Sequence, residues 1–547
     1  GLLHEIIAHD WVDHKYIDAH TVGFDELRSR VSEFPPERAA EICGVDADDI
    51  RTAARLIGNA ERLLSTVLQG FYQSHQATAA AVQVNNIHLV RGMLGKPGSG
   101  LLQMNGQPTA ENTRECGADG DLPGFRNWAN DDHIAELAQL WNLEQLQIPH
   151  YAPPTHAMQM FRFAEEGTLQ MLWVTATNPA VSLPELGRIR DILAHKRLFL
   201  VVEDIFMTET AELADVVLPA AAWAEKTGTF TNADRTVHLS EKAIEPPGSA
   251  RSDLDIFLDY ARRMDFRDKD GQPFPPWTDP ESAFEAWKKC SAGRPCDYTG
   301  LSYARLRGGS GIQWPCNAEH PDGTERLYVD GKFSAHPDYC EAYGKDLITG
   351  APLEPTEYRA MNPYGKAIIK AAQYVPPHEA PTSDYPFALI TGRTLYQFHT
   401  RTKTARAPQL AHAAPEVWVE VSQHDAGHLG IEEGDIVEVS TPRGSITAAA
   451  RISGIRDGVL FVPFHYGYFD ADGRGHHRAG NELTLTDWDP VSKQPIFKTA
   501  AAQLRRRRAG EVCSAPTTTA SAPVKGQVPD TVGGPTATVS EVPAGQS

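Results

Sequence analysis

The chain has 547 residues and a formal net charge of -20, with an isoelectric point near 5.5. Because binding to nucleic acid depends on a basic surface that releases counterions, this acidic excess disfavours a nucleic-acid partner. No window approaches about 18 uninterrupted apolar residues, so the sequence predicts no membrane span and no membrane partner. These features indicate a cytoplasmic protein of three or four domains that acts on small molecules.

Residues 1–100 are predicted to be mainly helical. The run PPERAAEICGVDADDIRTAARLIG has apolar positions at helical spacing, and Asp46 or Asp48 can cap its second helix. The apolar run RLLSTVLQG and a further helical segment, AAVQVNNIHLVRGMLG, follow. The pattern at Gly1 is already helical and has no signal sequence before it, so we expect an N-terminal portion to be missing.

A polar segment, QMNGQPTAENTRECG, occupies residues 103–117. It is crowded with amides and hydroxyls and lacks the apolar periods of about 2 or 3.6 residues that mark strands and helices. It is therefore predicted to be a loop that binds something polar.

The pattern changes near residue 165 to alternating strands and helices. The apolar runs TLQMLWVTATNP and RLFLVVEDIF flank an amphipathic helix, and ETAELADVVLP supplies a short helix and a third strand. Strands that are apolar on both faces are typical of a parallel sheet covered on both sides. Residues 101–264 are therefore predicted to form a parallel-sheet α/β domain.

Polar residues follow the ends of the first two strands of this sheet, where ligands of such sheets bind. Thr177 and Asn178 end the first strand, and Glu203 and Asp204 end the second. Asn-Pro and Glu-Asp also form ordinary turns, so a turn and a ligand site both remain open. An acidic pair can accept hydrogen bonds from both the ring N–H and the amino group of a guanine.

The second half of the chain divides into three parts. Residues 265–382 are rich in Pro, Gly, Asp and Trp and are predicted to be an irregular connecting region. Residues 383–509 combine short strands with close turns, and a short helix begins after Ser422 and ends at Gly430, which together predict a compact β-barrel. Residues 510–547 have the composition of a disordered tail.

The seven cysteines are scattered and form no CxxC pair, so reduced thiols in a cytosolic protein are the favoured interpretation. Cys290 and Cys296, the closest pair, are compatible with a surface thiol pair and match no metal spacing. His476 and His477 are adjacent in a glycine-rich loop and are expected to be exposed rather than a metal pair. No residue of the chain is assigned as a metal ligand.

The polar loops resemble those of one known family. QMNGQPTAENTRECGADGDLPGFRNW, WVTATNPAVSLPE, VVEDIFMTETAELADVVLPAAAWAEKTGTFTNADR, RSDLDI, TGRTLYQFHTRT and NELTLTDWDPVSKQPIFK occur in the order found in prokaryotic molybdopterin oxidoreductases. The resemblance to this dimethyl sulfoxide reductase superfamily covers residues 1–505. Within the family, the chain is most similar to the catalytic subunit of assimilatory nitrate reductase.

The resemblance implies an α/β fold, with helical and parallel-sheet α/β domains followed by a C-terminal double-psi-type β-barrel domain. Residues 1–100 would be the remainder of an α/β domain, residues 101–264 a dinucleotide-binding domain, and residues 383–509 a molybdopterin dinucleotide-binding domain. The implied cofactor is molybdenum bis(molybdopterin guanine dinucleotide). A four-iron four-sulfur cluster and the cysteine ligand to molybdenum would lie in the missing N-terminal part, so the fragment as given is expected to be inactive.

The resemblance also implies which residues bind the cofactor. Gln103 and Gln107 would approach a dinucleotide from the opening loop. Asn178, Glu203 and Asp204 would recognise one nucleotide, and Lys226 and Asp253 would close the same pocket. On the barrel side, the implied residues are Thr391, Gly392, Arg393, Thr394, Leu395, Tyr396, Gln397, Phe398, His399, Thr400, Phe464, Asn481 and Lys498.

The activity implied by the resemblance is reduction of nitrate to nitrite by oxygen-atom transfer in nitrate assimilation. The electron donor would be ferredoxin, flavodoxin or an NADH-dependent reductase subunit. Formate dehydrogenases of the superfamily carry an arginine directly before the Gly-Gln of the opening loop, where its fork can hold a carboxylate. Here that substrate-pocket candidate is Asn105, which favours nitrate. A formate dehydrogenase alpha subunit and a cofactor-free structural subunit of a redox complex remain alternatives.

Overall fold

The N-terminal part of the chain packs helices around an apolar core in which Ile6, Leu27 and Ala54 are fully buried. This computed structural model describes residues 1–104, 110–118, 122–152, 155–333, 344–353, 365–470 and 478–507. Asp46 caps the fifth helix by accepting a hydrogen bond from the Asp48 backbone N–H, as predicted. The elements are α1 (Leu2–Ala8), α2 (His14–His20), β1 (Thr21–Val22), α3 (Phe24–Val31), α4 (Pro36–Cys43), α5 (Ala47–Asn59), β2 (Leu64–Val67), α6 (Gln69–Tyr72), α7 (Ala77–Val90) and β3 (Gly100–Gln103), with β2 and β3 paired in parallel.

The predicted parallel sheet is confirmed. Its three strands lie in the order β4 (Met171–Thr175), β5 (Phe199–Asp204) and β6 (Val216–Pro219), and both pairings are parallel. Leu200 and Val202 of the central strand are fully buried because helices cover the sheet. The helices of this region are α8 (Glu111–Glu115), α9 (Asp131–Trp141), α10 (Ala157–Glu166), α11 (Pro179–Ser182), α12 (Leu186–Leu193), α13 (Glu209–Glu212) and α14 (Asp253–Arg263).

An antiparallel sheet and two helices follow, and they carry more regular structure than the sequence indicated. The elements are β7 (Gly228–Thr231), β8 (Thr236–Ser240), α15 (Pro280–Ser291), α16 (Tyr303–Leu306) and β9 (Ile312–Gln313). Cys290 and Cys296 do not form the surface thiol pair with which their spacing was compatible, because both are free thiols with buried side chains. They pack into two apolar clusters, where the sulfur behaves as part of the core.

The predicted C-terminal barrel is confirmed as a closed sheet. Its strands are β11 (Phe387–Gly392), β12 (Trp418–Ser422), β13 (Ile436–Thr441), β14 (Gly444–Ser453), β15 (Val459–Pro463) and β16 (Ala500–Arg506), in the spatial order β11-β15-β12-β14-β13-β16. A two-residue strand, β10 (Ala367–Ile368), pairs instead with β1. Val419, Val439 and Leu460 are fully buried inside the barrel. Closure leaves this sheet without an unpaired edge.

Two helices connect the barrel strands, α17 (Pro408–Ala413) and α18 (Gln423–Leu429). As predicted, Ser422 caps α18, and Gly430 ends it in the left-handed conformation. Among the residues that the structure describes, no helix has both the length and the apolar character needed to cross a lipid bilayer. The tail expected over residues 510–547 lies outside the described residues.

Candidate functional site

Glu203, at the end of β5, is a buried carboxyl group with an unusual environment. Its Oε2 accepts a hydrogen bond from Trp173 Nε1 at 3.0 Å, whereas Oε1 accepts none from any described residue. Burial, together with the neighbouring Asp253 carboxyl, raises the pKa of Glu203 to about 7. Asp253 is paired in turn with Lys226. The structure thus brings three of the sequence-predicted residues, Glu203, Asp253 and Lys226, into one cluster.

The neighbouring Asp204 faces the barrel. Its Oδ1 accepts hydrogen bonds from the backbone N–H groups of Ile205 at 2.7 Å and Phe206 at 3.4 Å. Burial raises the pKa of Asp204, and the positive charges of Lys403 and Arg406 act in the opposite direction. Two basic side chains of the barrel therefore lie near the carboxyl end of the central strand of the parallel sheet.

Asn178 joins the parallel sheet to the barrel through a fully used amide. Its Nδ2 donates to Glu209 Oε2 at 2.8 Å and to Thr400 Oγ1 at 3.2 Å, and its Oδ1 accepts from the backbone N–H and hydroxyl of Thr210. The other carboxyl oxygen of Glu209 accepts from the backbone N–H groups of Tyr468 and Phe469. In this structure Asn178 therefore positions two parts of the fold, since its hydrogen-bonding groups are occupied by protein atoms.

The opening loop is described only in part. Gln103, the last residue of β3, accepts a hydrogen bond from the Tyr72 hydroxyl at 2.5 Å and donates one to Asn85 Oδ1 at 3.0 Å. Its amide is thus held within the N-terminal part of the fold. Asn105 and Gln107, like His476 and His477, lie outside the described residues.

The segment from Thr391 to Thr400 divides into residues that face a cavity and residues that hold the loop. The Thr391 hydroxyl donates to the Phe497 carbonyl at 2.8 Å, and the Gln397 amide donates to the Ala414 carbonyl at 2.8 Å. Gly392 is required by packing, because a Cβ there would lie 2.4 Å from the Phe461 ring. Leu395, Tyr396 and Phe398 are exposed on the surface.

A cavity of about 70 Å³ lies where this loop meets the parallel-sheet and N-terminal parts of the chain. It gathers six of the sequence-predicted residues, which are far apart in the chain, and adds three that were not predicted. The lining residues are Gln73, Ser182, Thr391, Arg393, His399, Phe464, Asn481, Phe497 and Lys498.

Two cations make this cavity electropositive. Lys498 Nζ donates a hydrogen bond to the Thr391 carbonyl at 2.6 Å, and the Arg393 guanidinium lies 5.2 Å from the centre of the Phe464 ring. Burial, and then the charge of Arg393, lower the pKa of Lys498 to about 8. None of the lining residues that the structure describes is acidic. An anionic ligand would supply the missing opposite charge and favour the protonated amine.

Two buried oxygens in this region have no hydrogen-bond partner among the described residues. Asn481 Nδ2 donates to the Val181 carbonyl at 3.0 Å, but its Oδ1 accepts nothing. The Thr394 hydroxyl is likewise buried and unpaired. Because an unpaired buried polar group costs about 1 to 3 kcal/mol, these oxygens are suited to a ligand that carries hydrogen-bonding groups.

His465 supports the loop and was missed by the sequence analysis. Its Nδ1 contacts the carbonyl oxygen of His399 at 2.6 Å, and its Nε2 accepts a hydrogen bond from the Thr394 backbone N–H at 2.8 Å. This pairing requires the neutral ring with its proton on Nδ1. Burial lowers the pKa of His465 to about 4. The only sequence signal was its place directly after Phe464, which was itself predicted to contact the cofactor.

Gln73 was missed because nothing in the sequence links it to the barrel. Its carbonyl oxygen accepts hydrogen bonds from the backbone N–H groups of Phe497 at 2.9 Å and Lys498 at 3.1 Å. Phe497 could have been inferred from its neighbour Lys498. The contact between segments near residues 73 and 498 depends on tertiary folding, which no local pattern reports.

Comparisons with known proteins place this cavity in a recognised domain. The family model described as "Molydopterin dinucleotide binding domain" matches residues 387–501, which contain seven of the nine lining residues. The model "Molybdopterin oxidoreductase" matches residues 39–263, which contain Asn178, Glu203 and Lys226. The two models together cover the parallel-sheet and barrel parts of the chain and the N-terminal part from residue 39 onward.

Individual relatives agree with these matches. A nitrate reductase of Symbiobacterium thermophilum is 34% identical over 515 residues, which is 92% of this chain and 64% of that protein. A formate dehydrogenase subunit alpha of Methanocaldococcus jannaschii is 34% identical over 511 residues, which is 92% of this chain and 67% of that protein. The chain thus spans about two thirds of the length of these relatives.

A solved structure supports the same fold. Acetylene hydratase from Pelobacter acetylenicus matches with a TM-score of 0.61 over 93% of this chain and 69% of that one, at 18% identity. The two family models and the relatives identify the chain as a member of the molybdopterin oxidoreductase family.

Proposed function

We propose that this protein is a molybdenum-dependent oxidoreductase that reduces nitrate to nitrite by oxygen-atom transfer in nitrate assimilation. The observation that carries the proposal is the barrel cavity, where Arg393 and Lys498 meet no acidic partner among the described lining residues. The Lys498 amine is half-buried and burial lowers its pKa, so an opposite charge beside it would be stabilising. The phosphate groups of a molybdopterin dinucleotide would supply that charge.

The residues of the site fit such a cofactor. Asn481 Oδ1, Thr394 Oγ1 and Glu203 Oε1 are buried oxygens without a hydrogen-bond donor among the described residues. A pterin dinucleotide carries many N–H and O–H groups that can pair with them. The environment of Glu203 supports the guanine form, because a carboxylate can accept from both N–H groups on one edge of guanine.

Each part of the site has a distinct role in this proposal. Arg393 and Lys498 would hold phosphate oxygens through charge-assisted hydrogen bonds. Phe464 and Phe497 line the cavity and would keep water from these contacts. His465 would hold the loop at both ends without adding a third positive charge, because its ring is neutral.

When bound, the molybdenum cofactor would supply the two-electron chemistry of oxygen-atom transfer. The choice of nitrate depends on Asn105, the residue directly before the Gly-Gln of the opening loop. An asparagine can donate hydrogen bonds to a small anion but lacks the charge and fork of the arginine that formate dehydrogenases of the superfamily carry there. The likeness to the nitrate reductase of Symbiobacterium thermophilum supports the same choice.

Formate oxidation is the second candidate. It is favoured by the likeness to a formate dehydrogenase subunit alpha, which has the same 34% identity. A cofactor-free structural subunit is less well supported, because the buried oxygens of Glu203, Thr394 and Asn481 that lack a partner among the described residues would have no ligand to justify their burial. The proposal also includes a cytoplasmic location and an electron donor such as ferredoxin, flavodoxin or an NADH-dependent reductase subunit.

The test is an assay of the purified full-length protein that carries this sequence. We expect about one molybdenum per chain, guanine released on denaturation, and nitrite formed from nitrate with reduced viologen. Formate-dependent dye reduction without nitrite formation would show that the substrate is formate and not nitrate. Absence of both molybdenum and guanine after expression in a host that makes the cofactor would support the structural-subunit alternative and contradict the proposal.

A further inference from the structure

Two histidines and an aspartate from three distant segments meet outside the cavity. His75 lies between α6 and α7, His378 precedes β11, and Asp487 precedes the segment that leads to Lys498. One potential ligand atom from each lies within 4.8 Å of the other two. The ring centres of His75 and His378 are 4.3 Å apart, and His378 Nδ1 contacts Asp487 Oδ2.

The protein leaves a ligand atom at this point without a partner. His75 Nδ1 is buried and forms no hydrogen bond with any described residue. A buried ring nitrogen without a partner is destabilising unless a bound species completes its contacts. The side chains of His378 and Asp487 are 57% and 21% exposed, so the cluster can be reached from solvent.

Asp489 lies near the cluster, but its carboxyl oxygens are occupied by hydrogen bonds, so it holds the surrounding segments in place and does not serve as a metal ligand. Its Oδ1 accepts from the Thr78 backbone N–H at 3.2 Å, and its Oδ2 accepts from the Thr78 hydroxyl at 2.7 Å and from the Ser492 backbone N–H at 2.7 Å. These bonds join the start of α7 to the segment that carries Asp487. The positions of His75 and Asp487 are therefore fixed by contacts other than their own.

From this geometry we propose that His75, His378 and Asp487 bind a divalent transition-metal ion, of which zinc fits the donor set well. Two imidazole nitrogens and one carboxylate oxygen are donors that zinc accepts, and the fourth position would be left to water. Tetrahedral bonds of about 2.0 Å place donor atoms roughly 3.3 Å apart. The exposed side chain of His378 can make the small movement that closes the present spacing.

A metal ion here would fasten three segments that shape the wall of the barrel cavity. Gln76, next to His75, donates from Nε2 to the Gln373 carbonyl at 2.9 Å and accepts at Oε1 from the Val375 backbone N–H at 2.8 Å. The Asp487 carbonyl accepts from the Ile496 backbone N–H at 3.0 Å, directly before two lining residues. The ion would thus stabilise the position of the cavity wall without contacting a ligand in the cavity.

Titration of the tag-free, chelator-treated chain with Zn²⁺ and with Co²⁺ tests the proposal. We expect one saturable ion per chain by calorimetry, and visible absorption bands of nitrogen- and oxygen-coordinated Co²⁺. His378→Ala should weaken binding by at least tenfold, and Asp487→Asn should weaken it while circular dichroism remains unchanged.

His424→Ala is a matched control, because His424 forms a similar exposed pair with His428, also with ring centres 4.3 Å apart and with carboxylates nearby. It should leave binding unchanged. Absence of saturable one-to-one binding, or loss of binding in the control but not in His378→Ala, would overturn the proposal. The assay contains no molybdenum cofactor, so its outcome does not depend on the proposed nitrate reduction.

Discussion

Lys498 donates a hydrogen bond from Nζ to the carbonyl oxygen of Thr391 at 2.6 Å, which places its amine at the end of β11 and beside Arg393. Only one of the three donor positions of the amine is used in this bond. The remaining donors and the positive charge are available to a ligand in the cavity.

Replacing Lys498 by Met should weaken the binding of a pyrophosphate-containing ligand roughly tenfold to a hundredfold. The expected loss follows from one charge-assisted hydrogen bond, worth about 1.5 to 3 kcal/mol. Binding of guanosine diphosphate as a probe, and the guanine content of the purified full-length protein, measure the effect. Lys242→Met, which removes an exposed lysine paired with Glu245, is the control and should bind as the parent does. Equal affinity of both variants would argue against a phosphate site here.

Glu203 should make stability and nucleotide binding depend on pH. Its pKa is raised from 4.5 to about 7 in the folded chain, so the folded state holds a proton that the unfolded state has lost. The resulting stabilisation is full below about pH 4.5 and is lost as the pH rises through 7. Glu203→Gln should therefore be more stable than the parent at pH 8, by about 1 to 3 kcal/mol, and similar at pH 5.

Urea unfolding at the two pH values measures this difference, and Glu245→Gln, a substitution of an exposed glutamate, is the control. Guanosine diphosphate binding to the parent chain should also strengthen between pH 6 and 8, because a carboxylate accepts hydrogen bonds that a carboxylic acid does not. A stability difference that is the same at pH 5 and pH 8 would show that Glu203 does not titrate as inferred.

The buried histidines predict the opposite pH dependence. Burial lowers the pKa of both His88 and His465 to about 4 from 6.5. Between about pH 6.5 and pH 4 the unfolded chain therefore binds protons that the folded chain does not bind. The stabilisation is full above about pH 6.5 and decreases as the pH falls towards 4. Each ring can contribute up to about 3 kcal/mol to this loss.

The measurement is the free energy of unfolding in urea between pH 7 and pH 4.5, for the parent and for His465→Gln. The variant should be less stable at pH 7, because two backbone groups of the loop lose their partner, and its stability should fall less steeply with acidification. The substitution His424→Ala, at an exposed histidine, should leave the dependence of the unfolding free energy on pH unchanged. Parallel curves for the parent and His465→Gln would contradict the assignment.

Gly392 should not tolerate alanine. A Cβ at this position would lie 2.4 Å from a carbon of the half-buried Phe461 ring. We expect Gly392→Ala to destabilise the chain by about 1 to 3 kcal/mol, as overpacking commonly does. Gly427→Ala is the control, because that glycine lies in α18 with open space around it and should stabilise by about 0.5 to 1 kcal/mol. Thermal unfolding of the two variants should shift in opposite directions.

The sequence predicted elements whose signals are local. The apolar runs of β4 and β5 have no polar face, so they indicated a covered parallel sheet, and Ser422 and Gly430 marked both ends of α18. Helix α15 carried a local signal as well, with Asp279 as cap and Pro280 as first residue. The many Pro and Gly residues around this helix indicated irregular structure, and for that reason the helix was not predicted.

Site residues that lie in a recognisable sequence motif could be predicted, whereas residues that reach the site only through tertiary folding could not. Arg393, Asn481 and Lys498 lie in segments that resemble the family, and the structure places them around one cavity. Gln73 acts through its backbone carbonyl, and His465 acts through its ring nitrogens on backbone groups of distant residues, so no local sequence pattern specifies either contact. The burial of Cys290 was also invisible, because its covering residues come from other segments.

The hydrogen bonds from Phe497 and Lys498 to the Gln73 carbonyl have a consequence for biosynthesis. A nascent chain that has left the ribosome as far as β6 can already pair its parallel sheet, since those strands are close in sequence. The cavity, by contrast, has no complete wall until residue 498 has emerged and returned to the segment near residue 73. Loading of any molecule into this cavity is therefore a post-translational event, and incomplete chains are expected to leave synthesis with the sheet but without the binding site.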